Sequence, residues 1–265
     1  QNIARYGTPD GLDSLFIFDL ADAFLNGLLT GNAAIPLKSY KDAIAYFPDY
    51  SFSTFLSNHD QTRVMTALNE QEIKAKAGAF MYLTGPGIPF IYYGEEIGMT
   101  GNKPDEMLRT PMQWSAEANA GFTTGTPWEP INEGWEQTNV AVEAGQPDSL
   151  LNWYKGLISL RSKTPTLRLG SYVALNLSCK EVYAVLREYE GETLLTVVNL
   201  SLRPVQNCSL NLRSSNLKGT YHSEVLWGEP LFEQISFSPE GSIEGFVLSP
   251  EIAGGQTAVL RLVRP

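Results

Sequence analysis

The stretch FLSNHDQTR, residues 55–63, runs an apolar segment into the first of only two histidines in the chain and follows it at once with a carboxylate. With the residues before it, FSTFLSN (52–58) reads as a short strand, so Asn58, His59 and Asp60 fall at its carboxyl end. If that strand belongs to a parallel set, its end is where loops converge and where function collects. The reading of the fold therefore turns on what surrounds it.

On the amino-terminal side, SLFIFDLA (14–21) is rich in β-branched and aromatic residues and predicts a strand, and LKSYKDAIAYF (37–47) carries apolar residues at helical spacing. On the carboxyl side, EQEIKAKAGAFMYLT (70–84) sets Ile73, Ala77, Phe80 and Met81 around one helical face before Gly85 ends it. GIPFIYYG (87–94) predicts a third strand. After a long Gly-, Pro- and Trp-rich excursion, SLLNWYKGLISLRSK (149–163) predicts an amphipathic helix closed by Pro165. Three successive strand-to-helix units imply parallel strands with helical crossovers, the grammar of an α/β barrel or a doubly wound sheet.

From about residue 169 the pattern changes. SYVALNL, EVYAVLREY, TLLTVVNL, CSLNL, SEVLW, EGFVLS and TAVLRLV are short strand-like runs separated by turn residues such as Glu190-Gly191-Glu192. The expectation is an α/β region over 1–168 followed by an all-β, antiparallel β-sandwich domain over 169–265. No internal repeat or low-complexity segment interrupts either part.

Composition narrows the function classes. The 265 residues are 43% hydrophobic and 11% aromatic, enough for a substantial core. A formal net charge of -10 without a long acidic block argues against a nucleic-acid partner. The most apolar run, AGAFMYLTGPGIPFIYY, is broken by Gly85, Pro86, Gly87 and Pro89, so no membrane partner is expected. The opening QNIARYGTPDG does not read as a signal peptide. Cys179 and Cys208 have no metal-binding spacing; a disulfide and a pair of buried thiols both fit, and buried thiols are favoured.

Two polar clusters sit at predicted strand ends: Asn58-His59-Asp60 and Glu95-Glu96. An isolated histidine is more often a satisfied structural residue, but a carboxylate beside it at a strand end can bind a polyol or stabilise positive charge. Adjacent residues on an extended segment point opposite ways, so at most one of Glu95 and Glu96 is expected to face a cleft.

Three ordered motifs, FLSNHDQTR, GIPFIYYGEEIGM (87–99) and RTPMQWS (109–115), ahead of an all-β region, resemble the carboxyl-terminal portion of the α-amylase family of glycoside hydrolases. RTPMQW is similar to the α-glucosidase, oligo-1,6-glucosidase and trehalose synthase branches. The resemblance implies the last part of a (β/α)8 barrel and retaining chemistry on an α-glucan or α-glucoside. It implies that Asp60 stabilises the transition state and grips sugar hydroxyls, that His59 hydrogen-bonds the sugar at the cleavage subsite, and that Arg109 helps close the subsite. Asn58 joins them as a substrate-binding candidate, and Arg63 is either a further one or a solvated rim arginine paired with a loop acid.

That chemistry passes through an oxocarbenium-like state, which a carboxylate near the ring favours, and it also needs a nucleophile and a general acid about 5 to 5.5 Å apart. The family carries its nucleophilic aspartate in a G-F-R-x-D strand, and that pattern is missing here. A complete barrel takes about 250 residues and eight strands, so the expectation is a fragment, inactive alone, whose partner is the missing amino-terminal barrel portion in the same or another chain. Competing readings are a non-catalytic barrel-containing partner protein and a transglycosylase or isomerase of the trehalose synthase type. No cofactor is identifiable, and no oxygen-rich calcium loop is recognisable, which leaves calcium open. In GFTTGTPWEPINEGWEQTNV (121–140), Trp128 and Trp135 are expected to pin the loop onto the barrel, with sugar stacking as the alternative. His222 reads as a strand-surface residue. The N-x-S matches at Asn176, Asn199 and Asn207 are of a kind that arises by chance.

Overall fold

The computed structural model describes residues 11–265; the signal-peptide reading of QNIARYGTPDG lies, up to residue 10, outside the described residues. Three short strands form a parallel sheet in the order β1 (Leu15–Phe16), β2 (Phe52–Thr54), β3 (Ile88–Pro89), with Phe16 beside Ser53 and Ser53 beside Ile88. Helices connect them, as a right-handed crossover requires of neighbouring parallel strands. This is a half-barrel sheet with its helical layer on one side.

The first element is shorter as a strand than its composition predicts. SLFIFDLA pairs only through Leu15–Phe16, and from Phe18 the chain is α1 (Phe18–Thr30). Leu20, Phe24 and Leu28 recur at i, i+4 and are completely buried, so the helical stripe outweighs the local β preference. Gly31 ends α1 in the left-handed region (φ 61°), returning its N–H to the Gly27 carbonyl. Then come α2 (Ala34–Tyr46), β2, the single turn α3 (Val64–Ala67) and α4 (Glu72–Thr84).

Helix α4 is buried on nearly every side beyond Ala75, whereas Ile73, expected on its inner face, is exposed. Gly78 explains how closely it sits: a Cβ there would meet Leu28 Cδ1 and Leu56 Cδ1 at 3.1 Å each. The chain leaves β3 early as well. Pro89 has no N–H, Phe90 makes one more bond to the Thr54 carbonyl (2.8 Å), and Gly94 (φ 82°) then turns the backbone into a 3-10 turn over Glu95–Ile97.

The long excursion holds α5 (Asp105–Leu108) and α6 (Val140–Ala144), the latter capped by Asn139, which accepts from the Val142 N–H. Ser149 caps α7 (Leu150–Lys163) by accepting from the Asn152 N–H. Pro165 does not simply close α7; it opens α8 (Pro165–Leu169), where its missing N–H costs nothing. The expected boundary at 168 falls in the last turn of α8.

Beyond α8 the chain forms antiparallel sheets. A six-stranded one has the order β11 (Gln234–Phe237), β10 (Gly219–Gly228), β14 (Thr257–Val263), β7 (Glu192–Asn199), β6 (Val182–Tyr189), β4 (Val173–Ala174). A three-stranded one joins β12 (Ile243–Val247), β9 (Ser209–Leu212) and β5 (Asn176–Leu177), and a pair joins β13 (Glu251–Ile252) to β8 (Val205–Gln206). The β6–β7 hairpin turns through Glu190 and Gly191, both at positive φ, which suits the strand twist.

The six-stranded sheet buries both faces. Tyr183, Val185, Leu194, Val198 and Val259 share a core with the helices, while Val182, Ala184, Leu195, Val197 and Leu260 share another with Leu210, Ile243 and Leu248. Alternation along β6 and β7 produces this division. Two buried arginines tie the halves together. Arg161 donates to the carbonyls of Leu83, Gly85, Gly87 and Leu167 at 2.7 to 3.2 Å, and Arg187 to those of Thr84, Leu167, Gly170 and Ser171 at 2.7 to 3.1 Å.

Cys179 and Cys208 are paired as a disulfide with their Cα atoms 5.5 Å apart, which corrects the expectation of buried thiols. Asn199 is not an exposed acceptor: it is buried, and its Nδ2 donates to the carbonyls of Arg203, Ile252 and Ala253. His222 lies on β10, with Nδ1 3.4 Å from Gln234 Nε2. Among the described residues no helix is long and apolar enough to cross a membrane, and no three His, Cys, Asp or Glu residues are grouped to hold a metal ion.

Candidate active site

The carboxyl end of β2 becomes a polar turn because Asn58 folds back on the chain. Its Oδ1 accepts the Asp60 N–H at 2.8 Å, and its carbonyl accepts the Gln61 N–H at 3.2 Å. Asn58 thus fixes the backbone that carries His59 and Asp60. This intraloop bond uses one lone pair of the Asn58 side-chain oxygen.

Asp60 projects into solvent with 59% of its side chain exposed. One oxygen accepts from Arg109 Nη2 at 2.8 Å, and the other lies 3.4 Å from His59 Nε2. Arg109 also donates through Nε to the His59 carbonyl at 3.0 Å, so one guanidinium grips both residues of the pair. The same Nη2 reaches Asp105 at 3.1 Å, one helical turn earlier. Lys103 bonds to Asp105 and, more than any other neighbour, holds its carboxyl below the ordinary range. His59, Asp60 and Arg109, 50 residues apart in sequence at the widest, therefore form one constellation.

Arg63 is not part of that open rim. It is 1% exposed, its guanidinium stacks 4.7 Å from both the Tyr92 and Tyr93 ring centres, and Nη1 donates to the Tyr93 carbonyl at 2.7 Å. Burial lowers its pKa. Neither the solvated rim role nor direct sugar contact survives this placement; Arg63 holds the loop after β3. Tyr92 and Tyr93 in turn donate through their hydroxyls to the carbonyls of Leu108 (2.9 Å) and Thr110 (2.7 Å), the residues on either side of Arg109. Sequence reasoning missed this support. Its signal was the unusual run of two tyrosines directly before Gly94.

The adjacent glutamates separate. Glu95 is buried, with Oε1 accepting from Tyr82 (3.0 Å) on α4 and Tyr154 (2.6 Å) on α7, and desolvation raises its pKa to about 7 against the opposing pull of those two hydrogen bonds. Glu96, half-buried, lines a cleft of ≈ 340 Å³ that also includes Arg109, Trp114, Phe122 and Trp128. Trp128 is therefore not pinned under the loop, in contrast to the expectation; it is 57% exposed. Asp60 does not line this cleft, and Arg109 lies between the two.

What the rim offers chemically is an exposed carboxylate whose direction is set by an arginine and a turn, with an imidazole beside it. Both oxygens keep lone pairs for hydroxyl donors. Such a group suits a polyol that acquires positive charge.

Comparison with known proteins places this arrangement. A family model described as alpha amylase, catalytic domain, matches residues 1–170. Alpha-amylase 3 of Dictyoglomus thermophilum is 33% identical over 195 residues, covering 72% of this chain and 39% of its own length. The probable oligo-1,6-glucosidase 2 of Bacillus subtilis is 33% identical over 224 residues, with 67% and 40% covered. Among solved structures, an alpha-amylase from H. orenii matches with a TM-score of 0.78 and 32% identity over 98% of this chain and 51% of that one. The isomaltulose synthase of Klebsiella sp. LX3 matches with a TM-score of 0.73 and 26% identity over 95% and 51%. The chain spans about two fifths of the curated relatives and about half of the solved ones. With its strand-end constellation inside the segment that the family model matches, the chain belongs to the α-amylase family of glycoside hydrolases.

Proposed function

We propose that these residues are the carboxyl-terminal part of a retaining hydrolase of α-glucans or α-glucosides, in which Asp60 stabilises the oxocarbenium-like transition state while His59 and Arg109 hold the glucosyl ring. The observation that carries the reading is the exposed Asp60 carboxylate, aimed by Arg109 and flanked by His59 at a barrel strand end. Negative charge near the ring gains value as positive charge develops there, and a pre-set carboxylate needs no reorganisation when that happens.

In this reading the nucleophile and general acid come from the remaining barrel strands, in the same or another chain, and the 265 residues alone do not turn over substrate. Among the described residues β1 and β3 each pair on one side, and Phe16, Ile88 and Phe90 leave large apolar side chains exposed on or beside this sheet. Those features support a further layer of barrel against it. The antiparallel sheets after residue 168 form the proposed β-sandwich domain, with the six-stranded sheet packed between the helices and the smaller sheets. Incubation with a chromogenic α-glucoside tests the proposal: no release by this chain alone is expected, and turnover by it would overturn the division of catalytic groups.

A second reading, sugar isomerisation, is favoured by the likeness to the isomaltulose synthase. It shares the covalent intermediate and differs in the acceptor. Product analysis in the polypeptide or complex that completes the barrel, released monosaccharide against a rearranged disaccharide, distinguishes the two.

A further inference from the structure

Arg109 joins the residues of the rim, yet little at the rim itself can hold it still. Its bonds to Asp60, Asp105 and the His59 carbonyl are made by exposed or half-buried groups, and exposed ion pairs fix a geometry only weakly. It also caps the carboxyl end of α5, a helix of four residues that is too short to persist alone. What fixes Arg109 must therefore reach its backbone from below.

Two tyrosine hydroxyls do so. Tyr92 donates to the Leu108 carbonyl at 2.9 Å and Tyr93 to the Thr110 carbonyl at 2.7 Å, one residue on each side of Arg109. Their ring centres lie 4.8 Å apart, and the Arg63 guanidinium is 4.7 Å from both. Burial strengthens that cation–π attraction. Arg63 Nη1 also donates to the Tyr93 carbonyl at 2.7 Å, and the Arg63 backbone N–H donates to the Gly101 carbonyl at 3.0 Å. A Cβ at Gly101 would meet Arg63 Cδ at 3.1 Å and the Met107 carbonyl oxygen at 2.5 Å, so the arginine stem and α5 close on one glycine. Since Arg63 follows closely on Asp60 in the same loop, a single side chain braces the segment that carries Asp60 against the segment that carries Arg109.

The fold gives Arg63 little in return. Arg187 engages Nε, Nη1 and Nη2 with carbonyls, whereas Arg63, also buried, leaves Nε and Nη2 with no hydrogen-bond partner among the described residues. Unpaired buried donors disfavour the folded state, and an apolar side chain of similar length would fill the same space without them. A buried group that stability alone would not select is the kind of local conflict found beside working sites. We propose that Arg63 is a positioning residue for the glucosyl grip: through Tyr92 and Tyr93 it fixes the backbone at Arg109, and so the direction in which Arg109 meets both Asp60 and a sugar. The proposal rests on the glucoside reading of the rim and adds to it a residue that does not touch the ligand.

Nuclear magnetic resonance of the Arg109 Nε–H in this chain, and kinetics in the polypeptide or complex that completes the barrel, test it together. In the parent chain the Nε–H should be ordered, with an order parameter of about 0.8, and in Arg63→Met it should fall below about 0.6. Tyr93 is 37% exposed and can lose its hydroxyl as Tyr93→Phe without opening the core. That variant should show a smaller fall in the same direction, and it carries the test if Arg63→Met does not fold. On a chromogenic α-glucoside, Arg63→Met should lower kcat/KM about fivefold to tenfold, but less than about twofold when Arg109 is already alanine. An Arg109 signal as ordered in both variants as in the parent would overturn the proposal. So would an unchanged kcat/KM in Arg63→Met, or an equal loss with and without Arg109. Lost order in this chain, beside a completed parent that does not turn over the glucoside, would support the positioning of Arg109 and strike at the glucoside reading alone.

Discussion

The rim and the layer directly beneath it use the same kinds of residue in opposite surroundings. At the rim, Asp60, His59 and Arg109 meet with much of their side chains exposed, where an ion pair contributes little to stability. Beneath, Glu95 is buried against the hydroxyls of Tyr82 and Tyr154, and Arg161 and Arg187 are satisfied by backbone carbonyls alone. The contrast separates two roles. In the proposed reading, charge that acts on a ligand is left exposed and merely aimed, while Arg161 and Arg187, which hold elements in place, are buried and engaged by backbone carbonyls.

The largest effect expected from this contrast is on Arg187. Truncation to alanine removes a guanidinium that serves four carbonyls across the junction of α4, α8 and β6. Leaving those acceptors buried without donors should cost about 4 kcal/mol, since each unpaired buried group costs about 1 to 3 kcal/mol and such losses overlap. Urea unfolding measures it. A midpoint close to that of the parent would mean that water reaches the junction.

Glu95 should give the next largest effect, through pH. Its folded pKa of about 7 lies above the ordinary 4.5, so between those values the folded protein holds a proton that the unfolded chain has released. The associated stability is fully present below pH 4.5 and is lost as pH rises through 7, a decline of roughly 3 kcal/mol. Glu95→Gln cannot titrate, and its stability relative to the parent should improve from pH 5 to pH 8. Glu143, also raised by burial, titrates in both proteins and cancels in the comparison, whereas the charge of Glu96 adds to the rise at Glu95 and belongs to the same pH effect. A difference that does not vary with pH would remove Glu95 from the buried layer.

The smallest effect on stability is expected at the rim. Arg109→Ala breaks its bonds to Asp60, Asp105 and the His59 carbonyl, all exposed or half-buried, and should change unfolding by less than about 1 kcal/mol. The same variant should lose affinity for maltotetraose. A stability loss as large as that of Arg187→Ala would make Arg109 a structural residue and erase the comparison.

The rim was easier to read from sequence than the layer below. His59 and Asp60 stand at the end of an apolar run, and the resemblance of RTPMQW to the α-amylase family joins Arg109 to them. Arg63 carries the same label in sequence as Arg109, yet it lies between two tyrosines 30 residues further on. Nothing local distinguishes a buried arginine from an exposed one when its partners are backbone carbonyls. Strand-helix alternation was legible, but the start of α1 was not, because Phe16, Ile17 and Phe18 favour a strand until the Leu20, Phe24, Leu28 stripe is given more weight. The pairing of Cys179 with Cys208 depends on β-region packing, and two cysteines 29 residues apart cannot reveal it alone.

The account depends most on Asp60 acting on a bound sugar and not on the fold. The direct test is kcat/KM for a chromogenic α-glucoside with Asp60→Asn, made in the polypeptide or complex that completes the barrel. The substitution keeps shape and removes charge, so a fall of about 100-fold to 1000-fold is predicted with no shift in the urea midpoint. An Asp60→Asn protein as active as its parent would contradict the account.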